Sequence, residues 1–373
     1  MGLKITQFGG GWGNKAGDCC LLTYGKKMDR HTLIDLGAPQ VKRKYCHLGI
    51  QADHTLENVI FTHLHEDHIG NDTQWKEVVE RCTNKIFLPS KTTLTKKLEK
   101  IIKHPKINHA TISFPDDDQD SQELSLNNDD DLKVTIKFII PDPNKFKFKE
   151  AERTESDEDK IENEKSLGCL ITVEKDEKKW QMLTLGDMEK DSANDRISSL
   201  IEGERELFIK VIKLPHHGSQ NNWMPIINKL MKRGEITVIS SGFTVGTTGA
   251  DDYLKKHELL DNRRGAFYFL GNTFDRSEEG SKWTSAKMVS KLGDYFIPRF
   301  IQCLEQKGVN FDILDQVQWH FNPMYRSSAK SKYQNLMIEV KGKSLRNEVW
   351  PKKNKRKRGK ENGDREAKKS KII

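Results

Sequence analysis

The sequence predicts a layered α/β fold, and two observations carry that expectation. Short apolar runs of strand type alternate with segments of helical periodicity along most of the chain. The clusters of His, Asp and Gly that look capable of chemistry each fall directly after one of those strands.

Taken in order, Leu3–Phe8, Cys19–Tyr24 and Thr32–Leu36 read as strands, because short apolar runs punctuated by Gly and Asn suit sheet better than helix. Asn58–Thr62 (NVIFT) is a buried-type strand that runs straight into a histidine cluster. A helix is expected over Thr73–Cys82, a short strand at Ile86–Pro89 and a second helix over Thr93–Lys103. VTIKFIIP is a strand, and Leu167–Val173 pairs with Trp180–Leu185 as a hairpin around the turn KDEKK. Ser192–Ile201 is expected as helix, Leu207–Leu214 as strand, Met224–Lys232 as helix and Thr237–Ser240 as strand. From Asp261 the pattern weakens to a strand at Ala266–Leu270, a long helix around Ser285–Gln306, and strands near Gln316–Phe321 and Asn335–Val340. Residues 115–131 and 145–165, dense in charge, Asn and Ser, read as mobile surface insertions. Residues 1–350 are thus expected to form the folded domain and 351–373 a disordered basic tail, too charged to fold alone.

Composition excludes several function classes. The chain has 373 residues, 35% of them hydrophobic, which supports a core only if the many charges lie in loops and tails. No run approaches the roughly 18 uninterrupted apolar residues of a spanning helix, and MGLKITQFGGGWG lacks the apolar stretch of a secretion signal. No membrane partner is expected, and the location read from the chain is the nucleus, the cytoplasm or both. Of 63 basic and 55 acidic residues, 11 and 3 lie after Pro351, which leaves the body with 52 of each. Any global pull on polyanions therefore belongs to the tail. Six scattered cysteines (Cys19, Cys20, Cys46, Cys82, Cys169 and Cys303) with no CxxC pair read as reduced thiols. Cys19 and Cys20, adjacent in a strand, should face opposite ways, one of them into the core.

The chemistry concentrates in FTHLHEDHIGN, which sets His63, His65, Asp67 and His68 directly after a buried strand. Burying such groups unpaired costs about 2–7 kcal/mol each, and metal binding removes the problem. His63 and His65, two apart on an extended segment, reach one side together, while the turn redirects Asp67 and His68 toward a second ion.

HLHEDH resembles the HxHxDH signature of the metallo-β-lactamase fold, and other pieces agree in order: LIDLG with Asp35, MLTLGD with Asp187, and LPHHGS with His216 and His217. Within that superfamily the motifs most resemble the hydrolase domain of the bacterial DNA-uptake protein ComEC and phosphorylcholine-esterase-like phosphodiesterases. FGGGWGNKAGDCCLL, KSLGCLITV, LTLGD and VIKLPHHGS carry this likeness over residues 5–242. The resemblance implies a four-layer αββα sandwich. It implies that His63 and His65 ligate one metal, that Asp67 and His68 ligate a second, and that Asp187 bridges them. Of the closing pair, His217 is the expected ligand and His216 the residue beside the substrate as proton donor or phosphate contact, with the reverse assignment left open. Asp67 and His216 are accordingly the catalytic candidates. Many family members place a further histidine before the bridging aspartate; here only His104 and His109 lie between His68 and Asp187, both away from any strand end.

Imidazole and carboxylate donors suit Zn²⁺, two ions being expected, with Mn²⁺ or Fe as competitors. Two ions about 3.5–4 Å apart would hold a bridging hydroxide aimed at phosphorus or a carbonyl. Asp35 fits either a ligand-orienting acceptor or a turn residue, and Asp18 either a site residue or a turn. Ser219 fits a substrate contact or a helix cap; Trp12 and Trp223 fit substrate stacking or packing; His257 and His320 stand isolated.

The tail KKNKRKRGKENGDREAKKSK resembles a bipartite nuclear localisation signal, which implies a nuclear import receptor as partner; a nucleic-acid-binding or solubilising tail is the competing reading. The expected function is metal-dependent hydrolysis of phosphodiester or phosphoester bonds, with nuclease activity the leading subclass. Hydrolysis of a thioester, lactone or lactam is the alternative within enzymes. A non-catalytic, metal-stabilised nuclear binding module is the alternative outside them.

Overall fold

The computed structural model describes residues 2–8, 17–37, 48–90, 95–107, 110–116, 122–126, 132–145, 158–175, 178–202, 208–218, 222, 224–233, 236–240, 267–270, 311–314 and 316–321. Its strands form two sheets. The first contains β1 (Gly2–Phe8), β2 (Cys20–Gly25), β3 (Arg30–Ile34), β4 (Thr55–Ile60), β5 (Cys82–Phe87), β6 (Thr111–Ser113) and β15 (Gln316–Phe321), ordered β15-β1-β2-β3-β4-β5-β6. The second contains β7 (Glu123–Leu126), β8 (Lys133–Ile139), β9 (Gly168–Lys175), β10 (Lys178–Thr184), β11 (Ile209–Lys213), β12 (Thr237–Ser240), β13 (Phe267–Leu270) and β14 (Phe311–Leu314), ordered β14-β13-β12-β11-β10-β9-β8-β7.

The sheets pack face to face. Leu3, Ile5, Leu22, Tyr24 and Ile34 of the first meet Val134, Ile136, Ile171, Val173 and Met182 of the second in one buried cluster. Alternate residues of the first sheet, Leu21, Leu33 and Val59, point the other way and are also buried. They lie under α2 (Asp72–Arg81) and α3 (Lys96–Ile102), which present Trp75, Val78, Val79, Leu98 and Ile101 at helical spacing. On the second sheet Val211 and Ile239 face inward. Their neighbours Ile212 and Val238 are equally buried on the side where α5 (Lys190–Glu202) and α6 (Pro225–Arg233) bury Ala193, Ile197, Ile227 and Leu230. The result is the expected αββα sandwich, each sheet covered on both faces.

Double coverage explains one departure from the sequence reading. Cys19 and Cys20 do face opposite ways, yet both are buried, Cys19 under the helices and Cys20 between the sheets. Local signals start the helices where the polarity changes. Asn71 accepts hydrogen bonds from the N–H groups of Thr73 and Gln74, both at 3.1 Å, while the Gln74 side chain accepts from Asn71 N at 2.9 Å.

One expectation is corrected. The stretches read as mobile insertions contain ordered structure: Glu123–Leu126 pairs with β8 as an edge strand, and Glu158–Glu164 forms the helix α4, within which Ile161 and Glu162 are buried. A charged composition hid both, because an edge strand needs only one apolar face and α4 buries the charged residues Glu162 and Glu164 beside Ile161. After Asp261 two of the expected strands are present: β13 falls within Ala266–Leu270 and extends the second sheet, and β15, at Gln316–Phe321, pairs antiparallel with β1; β14, beside β13, was not foreseen. The expected helix around Ser285–Gln306, the strand at Asn335–Val340 and the basic tail lie outside the described residues.

Closure of the first sheet by β15 places Trp319 and Phe321 in the inter-sheet core, their ring centroids 6.1 and 4.9 Å from that of Trp180. Trp319→Ala is expected to lower the unfolding free energy by about 3–5 kcal/mol, measured by denaturant titration. A change below about 0.5 kcal/mol, the range of ordinary surface substitutions, would show that β15 does not belong to the cooperative unit.

Candidate metal centre

The site lies along one edge of the sandwich because of strand direction. β3 and β4 run parallel, as do β10 and β11, so Asp35, the histidine cluster, Asp187 and the PHHG turn all follow carboxyl ends of strands on the same side. β2 and β9 run antiparallel to β3 and β10, which brings the residues before them, Asp18 and Ser166, to the same edge.

Asp187, 1% exposed, is the centre of the group. Four histidines turn Nε2 toward its carboxylate: His68 at 3.1 Å from Oδ1, and His63, His216 and His217 at 3.6, 3.7 and 3.9 Å from Oδ2. His217 Nε2 also lies 3.1 Å from Asp67 Oδ2, and His63 Nε2 3.1 Å from His65 Nδ1. Ligand atoms come within 4.8 Å of one another in three sets: His63, His65 and Asp187; His63, Asp67 and His68; and Asp18, His68, Asp187 and His217. The structure thus brings His63, His65, Asp67, His68, Asp187, His216 and His217 together, and adds Asp18.

These groups are held from behind. Asp35 Oδ2 lies 2.8 Å from His68 Nδ1, and the carboxylate accepts from Thr62 N (2.8 Å) and Thr62 Oγ1 (2.7 Å). Asp35 is thus more than a turn residue: it ties the His68 ring to the Thr62 backbone and hydroxyl. Ser166 Oγ accepts from Asp187 N at 2.9 Å and lies 3.5 Å from His63 Nδ1. Glu162 Oε2 accepts from Leu64 N at 3.1 Å, so the end of the charged stretch clamps the histidine loop. His216 Nδ1 lies 3.0 Å from Asn222 Oδ1. Asp18 bonds the fully buried Lys213 ammonium and lies 3.3 Å from His217 Nδ1.

Backbone geometry adds further constraint. Asp35, His216 and His217 adopt positive φ (55°, 46° and 53°), a conformation that side chains with a Cβ hold only when their surroundings enforce it. Gly186 has φ +50°, and a Cβ there would fall 2.4 Å from Ser166 Oγ and 2.9 Å from the Thr62 side chain, so glycine is required beside Asp187.

Charges in the cluster depend on one another. Burial works against a proton on His68, but the carboxylates of Asp187 and Asp35 outweigh it and hold its pKa well above the usual histidine value. Burial works against ionised Asp187 too, and His68 and His217 hold it well below the usual carboxylate value. Burial, with His68 adding to it, pushes His63 down. Burial pushes the Lys213 pKa well below the usual lysine value, and Asp18 is the carboxylate in contact with its Nζ.

The residues fit metal ions on two grounds. His68 Nε2 and both Asp187 oxygens are buried yet make no hydrogen bond, which is costly unless a further partner sits between them. The donors are also neutral-capable imidazoles and carboxylates, the set that suits Zn²⁺, Mn²⁺ or Fe.

Other candidates separate from the site. His104 packs edge-on against Trp75, centroids 5.5 Å apart, and lies 3.7 Å from Glu80 on the outer helical face. His109, His257, Ser219, Trp12 and Trp223 lie outside the described residues, as does the side chain of His320. Sequence reasoning missed Lys213, Ser166, Thr62, Asn222 and Glu162. A lone lysine inside the apolar strand VIKLP and a serine just ahead of GCLITV were the available signals; nothing marked Glu162 among its charged neighbours.

The sequence matches no protein-family model and no curated protein. Solved structures similar to the chain include a new diphosphatase from the PhnP family, at 12% identity over 72% of this chain and 85% of that one, with a TM-score of 0.33. A long form RNase Z from yeast matches at 8% identity over 92% of this chain and 49% of its own, with a TM-score of 0.44. The subclass B3 metallo-β-lactamase MEM-A1 from a soil metagenome library matches at 12% identity over 57% and 79%, with a TM-score of 0.29. Likeness at this level carries no argument, and the layers and donor cluster stand on this chain's own geometry.

A histidine whose pKa lies well above 6.5 is protonated at neutral pH and must lose that proton to coordinate an ion. Uptake of Zn²⁺ by the metal-free protein at pH 7 is therefore expected to release about one proton from His68, with affinity weakening as pH falls. Calorimetric titration in buffers of different ionisation enthalpy reads the number directly; no net release would contradict the charge state assigned to His68.

Proposed function

We propose that the chain is a binuclear metal-dependent hydrolase of phosphodiester or phosphoester bonds, with nucleic acid the leading substrate class. The observation that supports it most is the convergence of histidine and aspartate donors on Asp187, whose two buried carboxylate oxygens make no hydrogen bond. In this reading His63, His65 and Asp187 hold one ion, and Asp67, His68 and His217 share Asp187 with the other. Bound ions supply Lewis acidity and lower the pKa of water, which suits in-line displacement at phosphorus.

The chain's own residues supply orientation and proton handling. Asp35 fixes the His68 ring through Nδ1 and Asp187 is fixed through Ser166, so the donor geometry exists before substrate arrives. His216, with 31% of its side chain exposed, stands at the open side of the site with Nδ1 against Asn222 and Nε2 toward Asp187. From there it is placed to give a proton to a leaving oxygen. Asp67, 33% exposed, shares that opening and keeps His217 in line. The preference for phosphorus over a carbonyl rests on the resemblance of the GDCCLL, LTLGD and VIKLPHHGS segments to ComEC-type and phosphorylcholine-esterase-type hydrolases, and on the basic tail.

Purified protein is expected to carry close to two transition-metal ions per chain by elemental analysis. Asp187→Ala or Asp67→Ala is expected to cut hydrolysis of a bis-aryl phosphate or single-stranded DNA by more than about a hundredfold, while truncation after Trp350 leaves the small substrate unaffected. Turnover of thioesters or lactones in place of phosphodiesters would assign the centre to carbonyl substrates. Full metal occupancy with no turnover of either would make the chain a metal-stabilised binding module.

The tail, in the same reading, directs the enzyme to nuclei through an import receptor. Residues 352–373 fused to an inert reporter are expected to carry it into nuclei. Deletion of the tail is expected to weaken polynucleotide binding and flatten its salt dependence, because fewer Lys and Arg displace counterions. A reporter that stays cytosolic, together with polynucleotide affinity unchanged by deletion, would remove both roles.

A further inference from the structure

We propose that Asp18 is a positioning residue for His217, and that Lys213 is the counter-charge that keeps Asp18 in place. The inference rests on the metal-hydrolase reading of the same centre and extends it to residues behind the donors.

The geometry comes from three loops. Lys213, at the end of β11, has a fully buried side chain whose ammonium bonds Asp18 Oδ2 and lies 3.4 Å from Gly186 O, next to Asp187. Asp18 Oδ1 lies 3.3 Å from His217 Nδ1, and the Asp18 N–H donates to the Asp67 carbonyl at 3.2 Å. Asp18, through its carboxylate and backbone, and Lys213 thus tie the segment before β2 to the Asp67 loop, the Asp187 turn and the PHHG turn. A neutral imidazole that donates from Nδ1 to a carboxylate presents the lone pair of Nε2. His217 Nε2 faces Asp67 Oδ2 and Asp187 Oδ2, at 3.1 and 3.9 Å.

His68 shows the same arrangement, with Asp35 behind Nδ1 and Asp187 before Nε2. The two differ in what holds the carboxylate. Asp35 accepts two hydrogen bonds from Thr62, whereas Asp18 bonds the fully buried Lys213 ammonium. Lys213 cannot itself be a ligand, since an ammonium has no lone pair. A buried charge of that kind persists only beside a partner, and the partner here is the group that orients His217.

The test uses the full chain and Zn²⁺ in competition with a chelating indicator. Wild type is expected to bind two equivalents. The pair Asp18→Asn with Lys213→Met removes both charges but leaves an oxygen to accept from His217 Nδ1, and is expected to bind both equivalents within about threefold of wild type. The pair Asp18→Leu with Lys213→Met removes the acceptor as well, and is expected to bind one equivalent normally and the other about 10–100-fold more weakly. Wild-type affinity in the leucine pair would overturn the inference while leaving the metal centre standing. Equal weakening in both pairs would make Asp18 a ligand and overturn it too. A wild type that takes up no Zn²⁺ would overturn the metal reading and this inference with it. Should the leucine pair not fold, ¹⁵N–imidazole correlation spectra of Zn²⁺-loaded wild type decide the matter. His217 is expected to be protonated at Nδ1 and metal-shifted at Nε2, and the reverse pattern would overturn the proposal.

Discussion

A carboxylate buried at the edge of a double-sheet core is expensive, and the architecture around Asp187 is the answer to that expense. An isolated buried charge is not tolerated in a protein interior; it is neutralised, paired or bound to metal. Here four histidine Nε2 atoms face the two oxygens, and none satisfies them by a hydrogen bond. Gly186, Ser166 and Thr62 fix the position of the carboxylate before any ion is present.

The distances in this cluster depend on the packing between the sheets. Asp35 and the histidine loop hang from the first sheet, Asp187 and the PHHG turn from the second, so the spacing of the cluster is set by side chains such as Ile34, Ile60, Cys169 and Val211 between them. Because interiors pack densely, a change of one side chain there is felt along the sheets to the edge. Strands β13, β14 and β15 belong to the same device, since they extend both sheets away from the site.

Orientation behind the donors is achieved in different ways on the two sheets. A neutral hydroxyl and an amide hold Asp35 behind His68, and a buried ammonium contacts Asp18 behind His217. The segment ahead of β9 then closes over the histidine loop through Glu162 and Ser166. A stretch that composition marks as a surface insertion is in this way part of the site's wall.

What could be read from the chain alone was whatever is written in short spacing. Alternating strand and helix patterns led to the layered fold, and the HLHEDH run with the strand-end aspartates and histidines named the side chains that gather around Asp187, with Asp18 left open between a site and a turn role. Those signals are local: one strand followed by one turn carries them. Lys213, Ser166 and Glu162 carry no such local signature, because they act through partners far along the chain: Asp18 lies 195 residues from Lys213, His63 103 from Ser166 and Leu64 98 from Glu162. In β15 the apolar Trp319 and Phe321 are matched across the core by Trp180, a partner remote in sequence. Ligand types were set by the sequence by itself. Which ring nitrogen faces the centre, and what holds it there, was decided only when parallel and antiparallel pairing brought the ends of two sheets to one edge, because a hydrogen bond across loops exists only after the strands that carry them have aligned.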